Sequence, residues 1–349
     1  MKCKTPYICS LYKINKASHI MMDQLIERFP AQLLEAIEIG ESLEIRTTKN
    51  QIDKIYVAGL GGSGIGADFV AEFIADECPI PYLVGKSYDV PNYVNDKTLA
   101  VLSSYSGNTE ETLSAYEKVK AAGAKIFIIS SGGKLIDIAK NEGYDYVKVP
   151  DNWPSPRACL GYSLVQQMYM VYKLGLIGKE KINQLKSSVD LVKFNMDDIK
   201  VKAEKIAELL NGKIPVIYTT DRMEAVAVRF RQQINENSKM LCWHHVVPEM
   251  NHNELVGWRD KNDNLAVIYF RNRDDYKRNA IRIDINKEII GQYTNTIIEV
   301  YSKGQSLIEK SIYFVHLGDW VSWYLSVLHH VDAIEVKVID FLKSELAKV

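Results

Sequence analysis

The chain has 349 residues, more than most single hydrophobic cores hold and enough for two domains. Its 43 Lys and Arg stand against 44 Asp and Glu, so the formal net charge of -1 favours neither nucleic acid nor an anionic membrane surface as a partner. Apolar residues make up 47% and charged residues 25%, the balance of an ordinary globular protein, and no apolar run approaches a membrane span.

In chain order, residues 22–45 read as an amphipathic lead helix. Apolar runs at 54–59, 81–84, 98–103, 125–130 and 145–149 then alternate with helical patterns at 64–77, 109–122, 133–141 and 158–174. Such alternation predicts a parallel sheet with helices on both faces. Gly175 and Gly178 bracket a break, and 179–211 read as a Lys-rich helix or helix pair. A second series follows, with strands at 214–220, 265–271 and 296–302 and helices at 221–240, 274–290, 304–329 and near 337–348. The expectation is two similar α/β units, residues 1–175 and 212–349, joined by a helical connector over 176–211. Met1–Pro6 lacks the apolar core of a signal peptide, and the five cysteines (Cys3, Cys9, Cys78, Cys159, Cys242) are scattered without zinc or redox spacing, so a reducing, cytoplasmic setting is expected.

Two turns between predicted strand and predicted helix carry the chemistry. Gly61-Gly62-Ser63-Gly64 follows Ile55–Ala58, and Ser104-Tyr105-Ser106-Gly107-Asn108-Thr109 follows Leu99–Leu102. Each presents backbone N–H groups and hydroxyls at a helix N-terminus, where an anion is favoured. Gly59–Gly64 also fits the dinucleotide pattern G-x-G-x-x-G, but the second strand ends Leu83-Val84-Gly85-Lys86 without the ribose-binding acid, and no P-loop Gly-Lys-Ser/Thr is present. A second hydroxyl-rich turn suits a phosphomonoester, with its acceptor oxygens and double charge. Helix capping, with Asn108 as cap and Glu111 closing a capping box, accounts for those two residues but not for Ser104, Ser106 or the Ser63 turn.

The string Ser-Tyr-Ser-Gly-Asn-Thr-Glu-Glu-Thr after a strand resembles the signature of sugar isomerase (SIS) domains. Two such units with Gly-Gly-Ser-Gly in the first resemble the phosphoglucose isomerase superfamily, and within it the bifunctional phosphoglucose/phosphomannose isomerases, over nearly the whole chain. The resemblance implies two SIS-type, flavodoxin-like three-layer αβα domains with mainly parallel sheets. It also implies that Gly62, Ser63, Ser104, Ser106 and Thr109 grip a sugar phosphate.

Aldose–ketose isomerisation needs ring opening, a proton shuttle between C1 and C2, and a cation for the enediolate; a Glu and an Arg suit the last two tasks. Residues 229–258 hold Asn235-Glu236-Asn237 and Asn251-His252-Asn253-Glu254, charged groups set among amides that orient without adding charge. Taken alone, Glu236 reads as an exposed acid near a helix end and His252 as a polar loop residue; Glu249 and Glu254 are the rival carboxylates. By resemblance, Glu236 is the shuttle base, and His252 opens the ring from the neighbouring subunit, which makes a homodimer obligatory. Arg157, in the stiff turn Pro154-Ser155-Pro156-Arg157-Ala158, matches the family's Pro-Arg near the reacting carbons and is assigned to the enediolate. Lys343 reads on its own as a solvated residue of an amphipathic C-terminal helix, and by resemblance as a partner of His252 in ring opening.

The seven histidines show no zinc spacing, so no metal and no cofactor is expected, and the zinc-dependent cupin type of mannose-6-phosphate isomerase is disfavoured. The reading is a metal-independent isomerase of glucose 6-phosphate, with mannose 6-phosphate as second substrate, acting on a free small molecule without nucleic acid or membrane. A shallow pocket tolerating both C2 epimers would explain dual use. The alternatives are a non-catalytic SIS-domain phosphosugar sensor and an SIS isomerase for another phosphosugar.

Overall fold

The computed structural model describes residues 22–348; the N-terminal segment read for a signal, with Cys3, Cys9 and His19, lies outside them. The chain divides into two compact units. One comprises Arg28–Lys193 with Gly304–Glu309; the other comprises Phe194–Lys303, the chain from Lys310 onward and the helix α1 (Met22–Glu27). The single lead helix expected over 22–45 is thus two helices. It breaks at Arg28, and α2 (Phe29–Glu41) starts afresh with Pro30 in its first turn, where a missing N–H costs nothing. The connector is a helix pair, α7 (Lys179–Phe194) and α8 (Met196–Leu210), and the division into units falls at the last residue of α7.

The first unit is built on five strands, β1 (Lys54–Ala58), β2 (Tyr82–Gly85), β3 (Thr98–Ser103), β4 (Lys125–Ser130) and β5 (Asp145–Lys148). They run in the order β2-β1-β3-β4-β5, with every neighbour parallel. This is the flavodoxin-like order. Its chain direction switches between β1 and β3, and ligands of such sheets sit beyond the C-terminal strand ends at that switch. The strands read as continuous apolar runs because both faces are covered. Tyr56, Ala58, Ala100, Leu102, Ile126 and Ile128 pack with Ala115, Tyr116 and Val119 of α4 (Glu110–Ala121) and Leu135, Ile136 and Ala139 of α5 (Gly133–Glu142). The alternate residues Ile55, Val57, Leu99, Val101 and Phe127 are fully buried on the opposite face. The unit is completed by α3 (Gly61–Ile74) and α6 (Leu160–Lys173).

The second unit repeats the scheme with β6 (Ile214–Thr220), β7 (Trp243–Val247), β8 (Leu265–Arg271) and β9 (Ile297–Tyr301) in the all-parallel order β7-β6-β8-β9. Strand β7 is absent from the sequence-based expectation. It is a short edge strand whose His244-His245 pair interrupts the apolar run that marks the others. Helices α9 (Glu224–Ser238), α10 (Lys277–Ile290) and α11 (Leu307–Leu328) follow β6, β8 and β9, and α12 (Lys337–Leu346) comes after α11. Val216, Tyr218, Val267 and Tyr269 pack with Ile283 and Ile290 of α10 on one face of the sheet. Phe230, Phe270 and Phe314 pack on the other, edge-to-face and tilted, with ring centroids 5.2 and 4.8 Å apart. Among the described residues no helix is long and apolar enough to cross a membrane.

One buried titratable group gives this unit a signature. His316 on α11 is fully buried, its Nε2 accepting from Trp320 Nε1 at 3.1 Å and lying 3.0 Å from Met196 Sδ. Burial, helped by the Lys200 charge, pushes its pKa from 6.5 down to about 3. The folded chain therefore keeps His316 neutral over a range in which the unfolded chain binds a proton. Stability is full above about pH 6.5 and falls as pH drops toward 3, by ~1.4 kcal/mol per unit in that window. Urea titrations of the wild type and His316→Gln at several pH values should show the variant losing this slope. Equal slopes in both would place the acid sensitivity elsewhere.

Candidate active site

The first glycine turn leaves β1 at Gly59 and becomes helical within two residues, so Gly61, Gly62 and Ser63 are themselves the first turn of α3. The sequence pattern starts this helix at 64; the structure starts it at Gly61, because the Ser63 and Gly64 N–H groups already bond back to the Leu60 carbonyl at 3.1 and 3.2 Å. Gly61 and Gly62 N–H groups head the helix at its positive end. A Cβ on Gly62 would lie 3.3 Å from the Pro156 carbonyl oxygen and 3.7 Å from Arg157 Cα, so the turn rests directly on the Arg157 segment.

The second turn is held by its own side chains. Ser104 is 2% exposed; its Oγ accepts from Gly107 N–H at 3.2 Å and meets Thr109 Oγ1 at 2.7 Å. Thr109 is the N-cap residue of α4, but its hydroxyl turns to Ser104 and makes no cap bond. Asn108 does not cap its own helix either. Its Oδ1 accepts from Lys134 N–H at 3.1 Å, in the first turn of α5, and its Nδ2 donates to Ser106 C=O at 3.2 Å. The capping account of Asn108 and Glu111 is thus replaced by a cross-brace to the next helix. Ser106 is exposed, its Oγ accepting from Asn108 N–H at 3.3 Å.

The brace reveals a third turn, Ser130-Ser131-Gly132-Gly133 at the end of β4, which the two expected turns do not include. Ser131 donates to the Tyr105 carbonyl from both Oγ, at 2.6 Å, and N, at 3.0 Å, and Ser130 Oγ adds a longer bond at 3.4 Å. Gly107 has φ +69° and Gly133 φ +66°. A Cβ on Gly107 would run into the Gly132 carbonyl oxygen, and one on Gly133 into the Ser106 carbonyl oxygen. Its signal was in plain view: a second pair of serines followed by two glycines at a strand-to-helix boundary.

These turns surround a small cleft at the C-terminal end of the first sheet, lined by Gly62, Ser63, Ser103, Tyr105, Ser130 and Ser163 among others. The structure thus brings Gly62 and Ser63 to the cleft, but not the Ser104, Ser106 and Thr109 side chains, which lie in the adjoining turn. Pro156 and Cys159 also line it, from the short 3₁₀ turn that carries Arg157. Arg157 is buried at 7% exposure. Its segment is pinned by Trp153, whose N–H reaches Tyr105 Oη at 3.3 Å and whose indole donates to Tyr162 Oη at 3.0 Å beneath the Arg28 guanidinium. Burial raises the Tyr105 phenol well above its usual range, so it stays a neutral donor.

The remaining predicted residues lie in the second unit, on three separate elements. Glu236 is half-buried near the C-terminus of α9. That helix is fixed by a buried two-pronged pair, Arg229 Nε and Nη2 to Asp319 Oδ1 and Oδ2 at 3.2 and 2.9 Å, and by Asn237 Nδ2 to Ser322 Oγ at 3.0 Å. Lys239 caps it in a left-handed conformation, φ +57°, and its ammonium bonds the carbonyls of Glu236 and Glu335. This ties the end of Glu236's helix to the segment just before α12, which carries the exposed Lys343. His252 is exposed at the end of a 3₁₀ turn, Glu249–His252. Of the rival carboxylates, Glu254 accepts from Tyr218 Oη and from Trp243 Nε1, and Glu249 accepts from Asn253 Nδ2 at 2.8 Å, so both are occupied in shaping this loop.

The second unit does not repeat the glycine–serine turns. After β8, the Asp275 carboxylate accepts from Asn272 N–H at 2.9 Å and from Asn272 Nδ2 at 3.0 Å, with Thr220 Oγ1 at 3.5 Å. Among the described residues no group of three or more His, Cys, Asp or Glu is arranged to hold a metal ion.

Comparison with known proteins agrees with this division. The family model described as "SIS domain" matches residues 50–142, and that described as "Bacterial phospho-glucose isomerase C-terminal SIS domain" matches 199–346. A bifunctional phosphoglucose/phosphomannose isomerase of Caldicellulosiruptor bescii is 39% identical over 94% of this chain and 99% of its own. Its namesake from Aquifex aeolicus is 37% identical over 84% of this chain and 90% of its own. Among solved structures, the C-terminal domain of glucosamine-fructose-6-phosphate aminotransferase from Francisella tularensis superposes with a TM-score of 0.76 at 14% identity, covering 91% of this chain and all of that one, a likeness of fold.

The close packing at Gly107 can be tested against a glycine of equal backbone strain. Gly143 has φ +73° with open space around it, so Gly143→Ala should cost ~1 kcal/mol from backbone strain alone. Gly107→Ala adds the clash with Gly132 and should lower the urea midpoint clearly further. Equal losses in the two variants would mean that the turns do not depend on this contact.

Proposed function

The chain belongs to the bifunctional phosphoglucose/phosphomannose isomerase family, and from that premise we propose how its residues divide the reaction. The protein interconverts glucose 6-phosphate or mannose 6-phosphate with fructose 6-phosphate. The Gly62-Ser63 helix turn and the Ser104–Thr109 turn take the phosphate. The observation that carries this is the pair of glycine-bearing turns, each opening a helix, brought side by side at the switch point of the first sheet.

His252 and Lys343 open the pyranose: one proton is delivered to the ring oxygen as the C1–O5 bond breaks, and the C1 hydroxyl proton is removed as the carbonyl forms. Glu236 takes the proton from C2 of the open aldose, the C1 carbonyl becomes an enediolate oxygen, the O2 proton passes to O1, and the same carboxyl returns its proton to C1 as the C2 carbonyl forms. Arg157, permanently cationic, meets the charge on that oxygen. Loss of the C2 proton erases the difference between the two epimers, so one base serves both sugars. No step requires a metal, which makes the reaction metal-independent. A cytoplasmic location fits the free thiols of Cys78, Cys159 and Cys242.

The active form in this reading is a homodimer, with His252 donated to the partner. Its exposure, beside a Val256 that is 72% exposed, supports that role.

Two experiments test these assignments. In a coupled assay with excess EDTA, both sugar phosphates should be turned over, and Glu236→Gln should lower kcat by at least ~10²-fold while fructose 6-phosphate binding persists. Retained turnover in that variant removes Glu236 as the base, and loss of wild-type activity in EDTA removes metal independence. Mixing the inactive Glu236→Gln and His252→Ala chains should restore about a quarter of wild-type activity through hybrid dimers. No recovery after subunit exchange has been demonstrated would confine His252 to its own chain.

A further inference from the structure

The cleft rests on a buried polar chain that none of the assignments above uses. Tyr82 Oη, on β2, donates to Gln167 Oε1 at 2.6 Å. Gln167 Nε2, on α6, donates to Ser163 O at 3.0 Å and to Ser163 Oγ at 2.9 Å. Ser163 Oγ donates to the carbonyl of Ser63 at 3.2 Å and meets Ser103 Oγ at 3.3 Å. Gln167 is 0%, Ser103 1% and Ser163 7% exposed, so water does not compete for these bonds.

Counting donors orders the chain. Burial holds the Tyr82 phenol well above its usual range, so it remains a donor and fixes which end of the Gln167 amide is oxygen. Both Gln167 N–H bonds then point at Ser163. A serine hydroxyl has one proton; with Ser163's on the Ser63 carbonyl, Ser103 must donate to Ser163. The Ser103 oxygen is left as an acceptor on the cleft side.

The placement matters because Ser63 and Ser103 belong to different turns. Ser63 lies in the first turn of α3, and Ser103 is the last residue of β3, immediately before Ser104. Ser163, in the cleft lining, bonds to both. It is also wedged from behind: a Cβ on Gly66 would come within 2.7 Å of Ser163 Oγ and 3.1 Å of its Cβ, so α3 and α6 close on it without slack.

We infer that Ser163 is a positioning residue for phosphosugar binding, holding the Ser63 turn and the Ser104 turn at the spacing a phosphate needs. This rests on the phosphate reading of those turns. It requires no contact between Ser163 and substrate. The effect is transmitted through hydrogen bonds: removing one hydroxyl releases the Ser63 carbonyl and leaves Ser103 without its acceptor.

The test uses the full-length enzyme and inorganic phosphate as a competitive probe. Ser163→Ala, and Ser163→Cys as the near-isosteric variant with a weak donor, should each raise the phosphate Ki and the KM for glucose 6-phosphate by about tenfold, with kcat within about twofold, the loss of roughly one well-placed hydrogen bond. The double variant Ser104→Ala/Ser106→Ala is measured beside them, with Ser188→Ala, a buried hydroxyl of α7 bonded to Leu185 C=O, as the control for stability alone. An unchanged phosphate Ki in both Ser163 variants, with the double variant still weakened, overturns the positioning role and spares the phosphate site. An unchanged Ki in the double variant overturns the phosphate site itself. A fall in kcat at constant Ki in the Ser163 variants would likewise overturn the inference.

Discussion

Between Gly107 and Gly132 two backbones approach more closely than any side chain permits, and the first unit's cleft is built around that contact. Gly107 can turn back at φ +69° only because it lacks a Cβ, and the Gly132 carbonyl occupies the space where one would stand. The Tyr105 carbonyl is thereby delivered to the Ser131 hydroxyl and N–H, and Asn108 to the head of α5. A loop of six residues becomes rigid without an apolar core of its own, because its backbone polar groups find partners in the neighbouring turn. Rigidity of this kind suits an anion site. Donors already fixed by the fold need not be reorganised when charge arrives.

The second unit stabilises its candidate residues by a different device. Glu236 sits on a helix whose buried face carries Arg229 and Asn237, each matched on α11. A buried ion pair of this sort is a poor source of net stability, since desolvating two charges offsets most of their attraction. Its effect is geometrical: α9 cannot rotate or slide against α11 without stranding a charge. A half-buried carboxyl one residue before Asn237 inherits that fixity. Glu254, by contrast, is consumed by Tyr218 and Trp243, so the two carboxylates that look equivalent in sequence are separated by what they bond to.

Most strands were legible because both sheets are parallel and covered on both faces, which turns strands into apolar runs bounded by glycine. The first unit's five strands fall within a residue of their expected bounds. Strand β7 was not legible, since an edge strand half-exposed to solvent tolerates His244 and His245 where an interior strand would carry Val or Ile. The break at Arg28 was equally hidden: Pro30 reads as a helix start as readily as a continuation of the lead pattern. At the site, the glycine–serine composition marked the first two turns, but composition says nothing of partners. That Asn108 reaches across to Lys134, that Thr109 turns to Ser104, and that Ser163 underlies both turns are facts of tertiary packing between residues 26, 5 and 60 to 100 positions apart.

The two sheets share a strand order and not a chemistry. At the switch point of the first, the helix-opening turns are glycine and serine, small enough for a ligand to meet the backbone. After the corresponding strand of the second, Asp275 places its own carboxylate on the Asn272 N–H and amide, and burial raises its pKa against those stabilising bonds. A carboxylate supplied by the chain occupies donors that an external anion would otherwise use. The repeated fold therefore does not imply a repeated site. What distinguishes the units is what stands at their strand ends: glycine and serine turns that open helices in the first, and the chain's own Asp275 carboxylate on the Asn272 donors in the second.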